Sequence, residues 1–218
     1  MSMIDYAAAR DLMVEQQIRP WNVLDARVLD VLATMPREPF VPAAHRNLAY
    51  ADTNLPLPQG QVMLKPVIQG RILQSLLLQP DEDVLEIGTG SGYLTACLSR
   101  LARDVVSIEK HAELAGLGLA NLTARAIANV EVVHADAFSY RPARQFDAVC
   151  VTGAVDTIPM SFLEWLKPGG RMLVVRGRPP VMEAVVVHVD VNGSRIESLF
   201  ETDIPYLAGA APVPAFEF

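Results

Sequence analysis

The sequence predicts an α/β fold: a doubly wound, mostly parallel sheet with an N-terminal helical extension and an antiparallel C-terminal hairpin. Between residue 83 and about residue 176, strand-like apolar runs alternate with helical segments. The runs are nearly continuous in hydrophobicity, which is typical of strands buried on both faces of a parallel sheet. Beyond them, Asn192 and Gly193 separate two more strand-like runs. An Asn-Gly pair in that position is a strong hairpin signal.

The N-terminal part, residues 1–80, predicts helices joined by proline-containing loops. The stretch "DARVLDVLATM" predicts a helix capped by Asp25, and its apolar face carries Val28, Leu29, Leu32 and Met35. Residues 35–66 contain too many prolines for regular structure, and a loop this long in a compact domain is usually functional. Residues 66–78 then predict another helix.

The central part of the chain predicts the sheet and its covering helices. The strands are indicated by "DVLEIG", "VVSIE", "VEVVHA", "FDAVCVTG" and "GRMLVVRG", and the helices by residues 91–102, 111–126 and 157–166. We therefore expect one domain over residues 1–218. Its parts are a helical extension with a substrate-side loop (1–80), a ligand-binding core (81–178) and a C-terminal hairpin and tail (179–218).

Composition excludes several classes of protein. Apolar residues make up 51% and charged residues 20% of the 218, as in globular proteins. The net charge of -7 disfavours nucleic acid as a partner. There is no apolar run of the roughly 18 residues that a membrane span needs, and the N-terminus lacks a signal-peptide pattern. We expect a soluble cytoplasmic protein without a membrane partner; its oligomeric state is not predicted.

The cysteines and histidines give no sign of a metal site. Cys97 and Cys150 lie inside apolar segments, which favours buried free thiols in a reducing compartment. The four histidines have no metal-ligand spacing, and no cluster of cysteines or acids joins them. We therefore expect no metal.

A glycine-rich loop follows the first predicted strand of the sheet. Gly88, Gly90 and Gly92 would let a ligand approach the backbone, close to the free N–H groups of the next helix. A nicotinamide dinucleotide site would place its last glycine at position 93, which is Tyr93. Glu86, just before the loop, would repel phosphates and suits a ligand with an ammonium or sulfonium group.

Two acids follow the next two predicted strands. Glu109 lies 21 residues beyond Gly88, where a carboxylate can accept hydrogen bonds from both ribose hydroxyls. Asp136 could accept a hydrogen bond from an adenine amino group. The alternative is that both acids merely cap the helices that follow. The set resembles the S-adenosylmethionine pocket of Rossmann-like class I methyltransferases, which implies this cofactor and S-adenosylhomocysteine as its product.

A narrower resemblance covers nearly the whole chain. "MVEQQIRP", "RVLDVLATMPREPFVP", "AYADTNLPLPQGQ", "VLEIGTGSGY", "VVSIEK", "FDAVCVTGA" and "LKPGGRMLVV" together resemble a protein-L-isoaspartate O-methyltransferase, and the segments before residue 66 are specific to that family. The resemblance implies repair of damaged proteins by methylation of the free carboxylate of isoaspartyl residues. It implies cofactor contacts from Gln61, Val62, Met63, Glu86, Ile87, Gly88, Thr89, Gly90, Gly92, Tyr93, Glu109, Lys110, Asp136, Ala137 and Thr152.

The chain departs from the family at the motif Gly-Gln-Thr-Ile-Ser, which is followed one residue later by proline. The Thr and Ser positions here are Val62 and Leu64. The family's Ser replaces water around the acceptor carboxylate, and a hydrogen bond to a charged group contributes roughly 1.5–3 kcal/mol. Losing it would slow transfer roughly 10- to 150-fold.

Two interpretations of this departure stay open. In the first, Lys65 or Thr53 supplies the missing donor and isoaspartyl activity persists. In the second, the more apolar pocket serves another acceptor, either a small molecule or a different protein site. A non-catalytic module that binds the cofactor is a further alternative, and an RNA methyltransferase is disfavoured by the acidic charge.

Overall fold

The N-terminal part of the chain is helical, as predicted. The computed structural model of the protein describes residues 4–212. Asp25 caps the second α-helix, because its side chain accepts a hydrogen bond from the backbone N–H of Arg27 at 2.8 Å. That helix buries Val28, Leu29 and Leu32 as expected, whereas Met35 follows its last turn and is half-buried. The segments are α1 (Tyr6–Leu12), a π-helical stretch (Met13–Ile18), a 3-10 turn (Arg19–Trp21) and α2 (Ala26–Thr34).

The proline-rich segment 35–66 is mostly irregular, with one exception that the sequence did not predict. A short antiparallel ribbon pairs β1 (Leu55–Pro56) with β2 (Val62–Met63). The backbone N–H of Leu57 donates to the carbonyl of Gln61 at 2.8 Å and closes the ribbon. Proline is compatible with this pairing because the ribbon has only two residues on each side and Pro56 lies at a strand end. Around the ribbon the chain forms 3-10 turns at Glu38–Phe40, Ala43–Leu48 and Pro58–Gly60.

Helix α3 (Pro66–Leu76) connects the ribbon to the sheet. Proline at the first helical position needs no hydrogen-bond partner for its nitrogen. The helix ends two residues before the predicted boundary because Leu77 adopts a left-handed conformation with φ of 49°.

Seven strands form the central sheet in the order β5-β4-β3-β6-β7-β8-β9. The first five of these are parallel, and the last two are added antiparallel as the predicted hairpin. The predicted fold class is therefore confirmed, together with all five predicted core strands. The strands are β3 (Asp83–Ile87), β4 (Asp104–Glu109), β5 (Val130–His134), β6 (Phe146–Val155), β7 (Leu166–Arg178), β8 (Val181–Asp190) and β9 (Gly193–Glu201).

The helices that cover the sheet are α4 (Tyr93–Leu101), α5 (Ala112–Thr123) and α6 (Met160–Leu163). The first two agree with the predicted helices to within a few residues. The third is a single turn, so the prediction of a helix over 157–166 was wrong in length. The C-terminal end of the predicted helix belongs to the sheet instead, since Leu166 pairs with Phe146.

Each face of the sheet packs against its own apolar core. On one face Val84 and Cys150 contact the helical layer that includes the N-terminal extension. On the other face Leu85 and Val149 pack with Phe162 and Trp165, whose rings stack at 4.7 Å. Successive side chains along β3 and β6 therefore point to opposite faces of the sheet, and this decides which layer each side chain can reach.

Both cysteines, Cys97 and Cys150, are buried free thiols, as predicted. Burial raises the pKa of Cys97 to about 12 and that of Cys150 well above its ordinary value, so neither is a reactive thiolate. Among residues 4–212, no three His, Cys, Asp or Glu side chains form a group able to hold a metal ion. The helices within the same range include none with the length and apolar character needed to cross a membrane.

Candidate active site

A cavity lies at the carboxyl ends of the parallel strands, where sheets of this kind bind ligands. Its walls come from the loop after β3, the ends of β4 and β6 and the turn after β5, together with the β1–β2 ribbon and a C-terminal segment. The sequence-predicted residues that line it are Gln61, Val62, Leu64, Ile87, Gly88, Gly90, Glu109, Lys110, Asp136, Ala137 and Thr152.

The glycine loop is fixed against β6. Gly88 has φ of +99°, and a Cβ atom at this position would collide with the hydroxyl of Thr152. That hydroxyl donates to the carbonyl oxygen of Ile87 at 2.8 Å, and the N–H of Gly88 donates to the carbonyl of Ile108 at 2.8 Å. Only glycine combines this backbone conformation with the close approach of Thr152.

Helix α5 packs directly on the same loop. A Cβ atom at Gly118 would lie 2.6 Å from the Thr89 methyl carbon, and one at Gly92 would lie 3.1 Å from the carbonyl oxygen of Gly118. Glycine in a helix is unfavourable by about 1 kcal/mol relative to alanine, so its presence needs a reason. The contact supplies that reason for Gly118, a residue that the sequence-based prediction of the site missed. The sequence signal for this contact is the presence of a glycine within a predicted helix.

Glu109 ends β4 with its carboxylate facing the cavity. Its Oε2 atom accepts from the N–H of Gly90 at 3.0 Å, and its Oε1 atom accepts from the N–H of His111 at 2.9 Å. The residue is buried, with 6% of its surface exposed. A carboxylate has about four acceptor positions, so about two stay available to a ligand after these bonds are made. The backbone thus holds the carboxylate in one orientation.

Asp136 lies after β5 and pairs with Lys110, whose Nζ atom is 2.9 Å from the Asp136 Oδ2 atom. The N–H of Phe138 donates to Oδ1 at 3.0 Å. Burial alone would raise the pKa of Asp136, but the hydrogen bonds from Lys110 and Phe138 outweigh it and hold that pKa below its ordinary value. The group is therefore an ionised acceptor at neutral pH.

Glu86 does not face the cavity, and the expectation that it meets a ligand's charged nitrogen or sulfur is corrected. Alternation along β3 turns its side chain toward the helical layer. There Oε2 accepts hydrogen bonds from Thr95 at 2.5 Å and from Ser107 at 2.6 Å. Complete burial raises the pKa of Glu86 to about 7. The Ser107 hydroxyl is also hydrogen-bonded to the Thr89 hydroxyl at 2.6 Å, so Ser107 connects Glu86 to the glycine loop.

Four more predicted cofactor contacts lie outside the cavity: Met63, Thr89, Gly92 and Tyr93. Thr89 turns its hydroxyl toward Ser107, and Gly92 is the N-cap of α4. The first turn of that helix carries Tyr93 into the core, 5.5 Å from the ring of Phe40. Met63 and Thr89 line a smaller recess beside the cavity.

Neither Lys65 nor Thr53, the two candidate donors, lines the cavity or the recess beside it. The Nζ atom of Lys65 lies 3.8 Å from Oδ2 of Asp52, and the Thr53 hydroxyl donates to the carbonyl of Asn54 at 3.5 Å. Thr53 is exposed and Lys65 is half-buried, whereas Leu64 is buried beside the cavity. The wall at the departure from the family motif is apolar.

The C-terminal segment, whose role the sequence leaves open, is a further wall of the cavity. Beside the end of β6, the N–H of Ala154 donates to the carbonyl of Pro205 at 2.9 Å, and the N–H of Leu207 donates to the carbonyl of Ala154 at 2.8 Å. A Cβ atom at Gly153 would lie 2.8 Å from the nitrogen of Leu207. The sequence signal for this close contact is Gly153 itself, a glycine at the end of a predicted strand. The lining residues not predicted are Ile108, His111, Leu114, Ala135, Gly153, Pro205, Tyr206, Leu207 and Ala208.

Solved structures share this architecture. A candidate protein-L-isoaspartate O-methyltransferase from Plasmodium falciparum, in complex with S-adenosyl-L-homocysteine, superposes with a TM-score of 0.80 at 18% identity, covering 94% of this chain and 99% of that one. A second protein-L-isoaspartate O-methyltransferase superposes with a TM-score of 0.78 at 23% identity, covering 91% and 65%. At these identities the likeness shows the fold.

Sequence comparison shows the family. The model of the family "Protein-L-isoaspartate(D-aspartate) O-methyltransferase (PCMT)" matches residues 8–200. The protein-L-isoaspartate O-methyltransferase of Koribacter versatilis is 39% identical over 183 residues, which cover 84% of this chain and 82% of the relative. That of Methanoregula boonei is 40% identical over 191 residues, which cover 87% and 88%. The chain therefore belongs to the protein-L-isoaspartate O-methyltransferase family.

Proposed function

We propose that the protein is an S-adenosylmethionine-dependent O-methyltransferase that methylates the free carboxylate of isoaspartyl residues in damaged proteins. The observation that carries this proposal is the pair of oriented acids, Glu109 and Asp136, in one cavity beside the glycine loop. Membership of the family supports the reaction and the substrate class.

The cavity fits the cofactor by its donor and acceptor set. Glu109 has free acceptor positions for ribose hydroxyls, and the ionised carboxylate of Asp136 suits an adenine amino group. Ile108, Leu114 and Ala137 give apolar surface next to these acids. When bound, S-adenosylmethionine supplies an electrophilic methyl group on a positively charged sulfur.

The chain's own residues have to orient the acceptor and exclude water from it. A free carboxylate has a pKa of about 3.5, so it is already ionised at neutral pH and needs no general base. Orientation of two reactants can lower a barrier by up to about 7–11 kcal/mol. The apolar wall formed by Val62 and Leu64 removes water from the acceptor side, which makes a compensating hydrogen-bond donor necessary.

Transfer of a labelled methyl group from S-adenosylmethionine to an isoaspartyl peptide tests the proposal. The control is the same peptide with ordinary aspartate, and we expect label only in the isoaspartyl peptide. Binding of S-adenosylhomocysteine is followed in parallel by the melting temperature. Stabilisation by this product without label transfer would reject the acceptor while retaining the cofactor.

A second candidate function keeps the cofactor and changes the acceptor to a small molecule or another protein site. The apolar residues Val62 and Leu64 favour it, because the family's hydroxyls are missing there. A non-catalytic module is the remaining alternative. Any methyl transfer that Asp136→Ala abolishes would exclude the module, and rapid turnover of the isoaspartyl peptide would exclude the changed acceptor.

We also propose that residues 1–218 work as one domain in the cytoplasm. One apolar cluster runs from Met13 in the extension to Ile204 near the C-terminal segment, which supports a common folding unit. The two buried free thiols fit a reducing compartment.

A further inference from the structure

A small recess adjoins the cavity on the side of the ribbon. The two spaces share five lining residues, so they form neighbouring parts of one site: Val62, Leu64, Gly88, Gly90 and Thr152. Gln69, from the first turn of α3, lines the recess and is buried, with 3% of its surface exposed. A buried amide has to be explained by its hydrogen bonds.

Arg37 fixes the orientation of this amide. Its guanidinium is completely buried, and its Nη1 atom donates to Oε1 of Gln69. A guanidinium carries donors only, so the amide oxygen and not the amide nitrogen must face it. The Nε2 atom of Gln69 therefore lies on the other branch of the amide. Within residues 4–212 no group of the chain accepts a hydrogen bond from it.

The same guanidinium binds backbone carbonyls on either side of the ribbon in the chain. The Nη2 atom of Arg37 donates to the carbonyl of Leu64 at 2.7 Å, and its Nε atom donates to the carbonyl of Ala49 at 2.8 Å. Gln69 and Leu64 are thus held by one cation. The amide lies next to the position where the family has its serine.

The charge of Arg37 is uncompensated. Of the ion pairs formed by the described part of the chain, none includes Arg37; its bonds go to carbonyl and amide oxygens, and its guanidinium carbon lies 4.9 Å from the centre of the Tyr93 ring. A buried cation without a counter-ion favours an anion nearby. A carboxylate in the recess would accept from the Nε2 donors and be attracted by this charge, which lies behind Gln69 and does not line the recess.

We propose that Gln69 Nε2 is the donor that holds the methyl-accepting carboxylate, and that Arg37 is the positioning residue that orients the Gln69 amide. This inference rests on the proposed isoaspartyl substrate. It explains how the site accommodates a charged acceptor although Val62 and Leu64 have replaced the hydroxyls. Two other hydroxyls of the recess are bonded elsewhere: that of Thr152 to the carbonyl of Ile87, and that of Thr89 to Ser107. Ser91 also lines the recess and is tested below as a rival donor.

The variant Gln69→Glu removes the proposed donor but keeps a side-chain oxygen at the position that Arg37 binds. It keeps an oxygen for the guanidinium, removes both N–H donors and sets a carboxylate against the acceptor. We expect kcat/KM for the isoaspartyl peptide to fall at least about 10- to 150-fold, the effect of losing a hydrogen bond to a charged group. The affinity for S-adenosylhomocysteine should stay unchanged. Gln145→Glu, an exposed site beyond the cavity, is the matched control for the added charge.

Rescue separates a donor from a merely structural residue. Leu64→Ser introduces a hydroxyl into the same recess, so it should restore transfer in the Gln69→Glu background more than it raises transfer in the native chain. If Gln69→Glu does not fold, Gln69→Met, which has a similar volume and no donor, replaces it in both measurements.

The outcomes are distinguishable. Native protein that binds S-adenosylhomocysteine but methylates no isoaspartyl peptide would overturn the proposed function, and this inference with it. Native activity that survives in Gln69→Glu would overturn the inference alone. Loss in Ser91→Ala, with Gln69→Glu still active, would assign the donor to the serine of the glycine loop, which also lines the recess.

Discussion

The buried carboxyl of Glu86 makes the stability of the fold depend on pH in a direction that can be measured. The side chain is fully buried beneath the glycine loop, and both its partners, Thr95 and Ser107, donate to the same oxygen. The variant Glu86→Gln keeps an acceptor oxygen for these two hydroxyls and removes the titration. A pH-independent difference in stability is expected as well, because the new amide nitrogen needs a partner.

The magnitude follows from the pKa of Glu86, which burial raises from 4.5 to about 7. At about 1.36 kcal/mol per pKa unit, the difference corresponds to about 3.4 kcal/mol. A raised pKa means that the folded chain binds the proton more tightly than the unfolded chain, so the native protein loses stability as pH rises from 4.5 to 7. Between pH 5 and pH 8 the expected loss is about 2.5 kcal/mol relative to Glu86→Gln.

Urea denaturation of both proteins at pH 5, 6, 7 and 8 measures this difference. Other titrating groups are common to the two chains, so the difference between the two free energies of unfolding isolates residue 86. The native protein should lose about 2.5 kcal/mol relative to the variant across this range. A difference that is flat with pH, or that moves in the native protein's favour, would refute the assignment of a raised pKa to Glu86.

Two further predictions concern the glycine loop and the acid after β5. Gly118→Ala should destabilise the protein by about 1–3 kcal/mol in urea denaturation, because the added carbon meets Thr89 at 2.6 Å. Gly116→Ala, on the same helix with no atom within 4 Å, should instead stabilise it by about 0.5–1 kcal/mol, and equal effects would contradict the packing argument. Asp136→Ala should weaken S-adenosylhomocysteine binding about 10- to 150-fold in calorimetry, and Asp136→Asn should weaken it less because it keeps an acceptor; unchanged affinity in Asp136→Ala would remove the residue from the cofactor site.

The fold could be predicted from the sequence because its signals are local. Continuous apolar runs such as 146–153 need cover on both faces, and Asn192-Gly193 fixes a hairpin without reference to the rest of the chain. The one-turn helix at 160–163 was predicted too long because the pairing of Leu166 with Phe146 is a long-range contact. Propensity carries no information about such a partner.

The candidate site was predicted in part. Glu109 and Asp136 were found because strand ends in a parallel sheet lie at one edge. Glu86 was misplaced although the alternation along β3 distinguishes its direction from that of Ile87. The pattern of an acid before a glycine loop does not indicate which face of the sheet the carboxylate points to.

Arg37 shows what sequence patterns cannot supply. Its partners Ala49, Leu64 and Gln69 lie 12, 27 and 32 residues away along the chain. The first two belong to a proline-rich segment without periodicity, and the third belongs to α3. The resulting arrangement bears on the departure from the family motif. Because the guanidinium binds Leu64 through its backbone carbonyl, this contact does not depend on which side chain is present at position 64. Because it also orients Gln69, a donor can be present in the same recess after the hydroxyl is lost. A substitution that would otherwise disable the acceptor site is thus compatible with a retained reaction, and the buried cation is the reason.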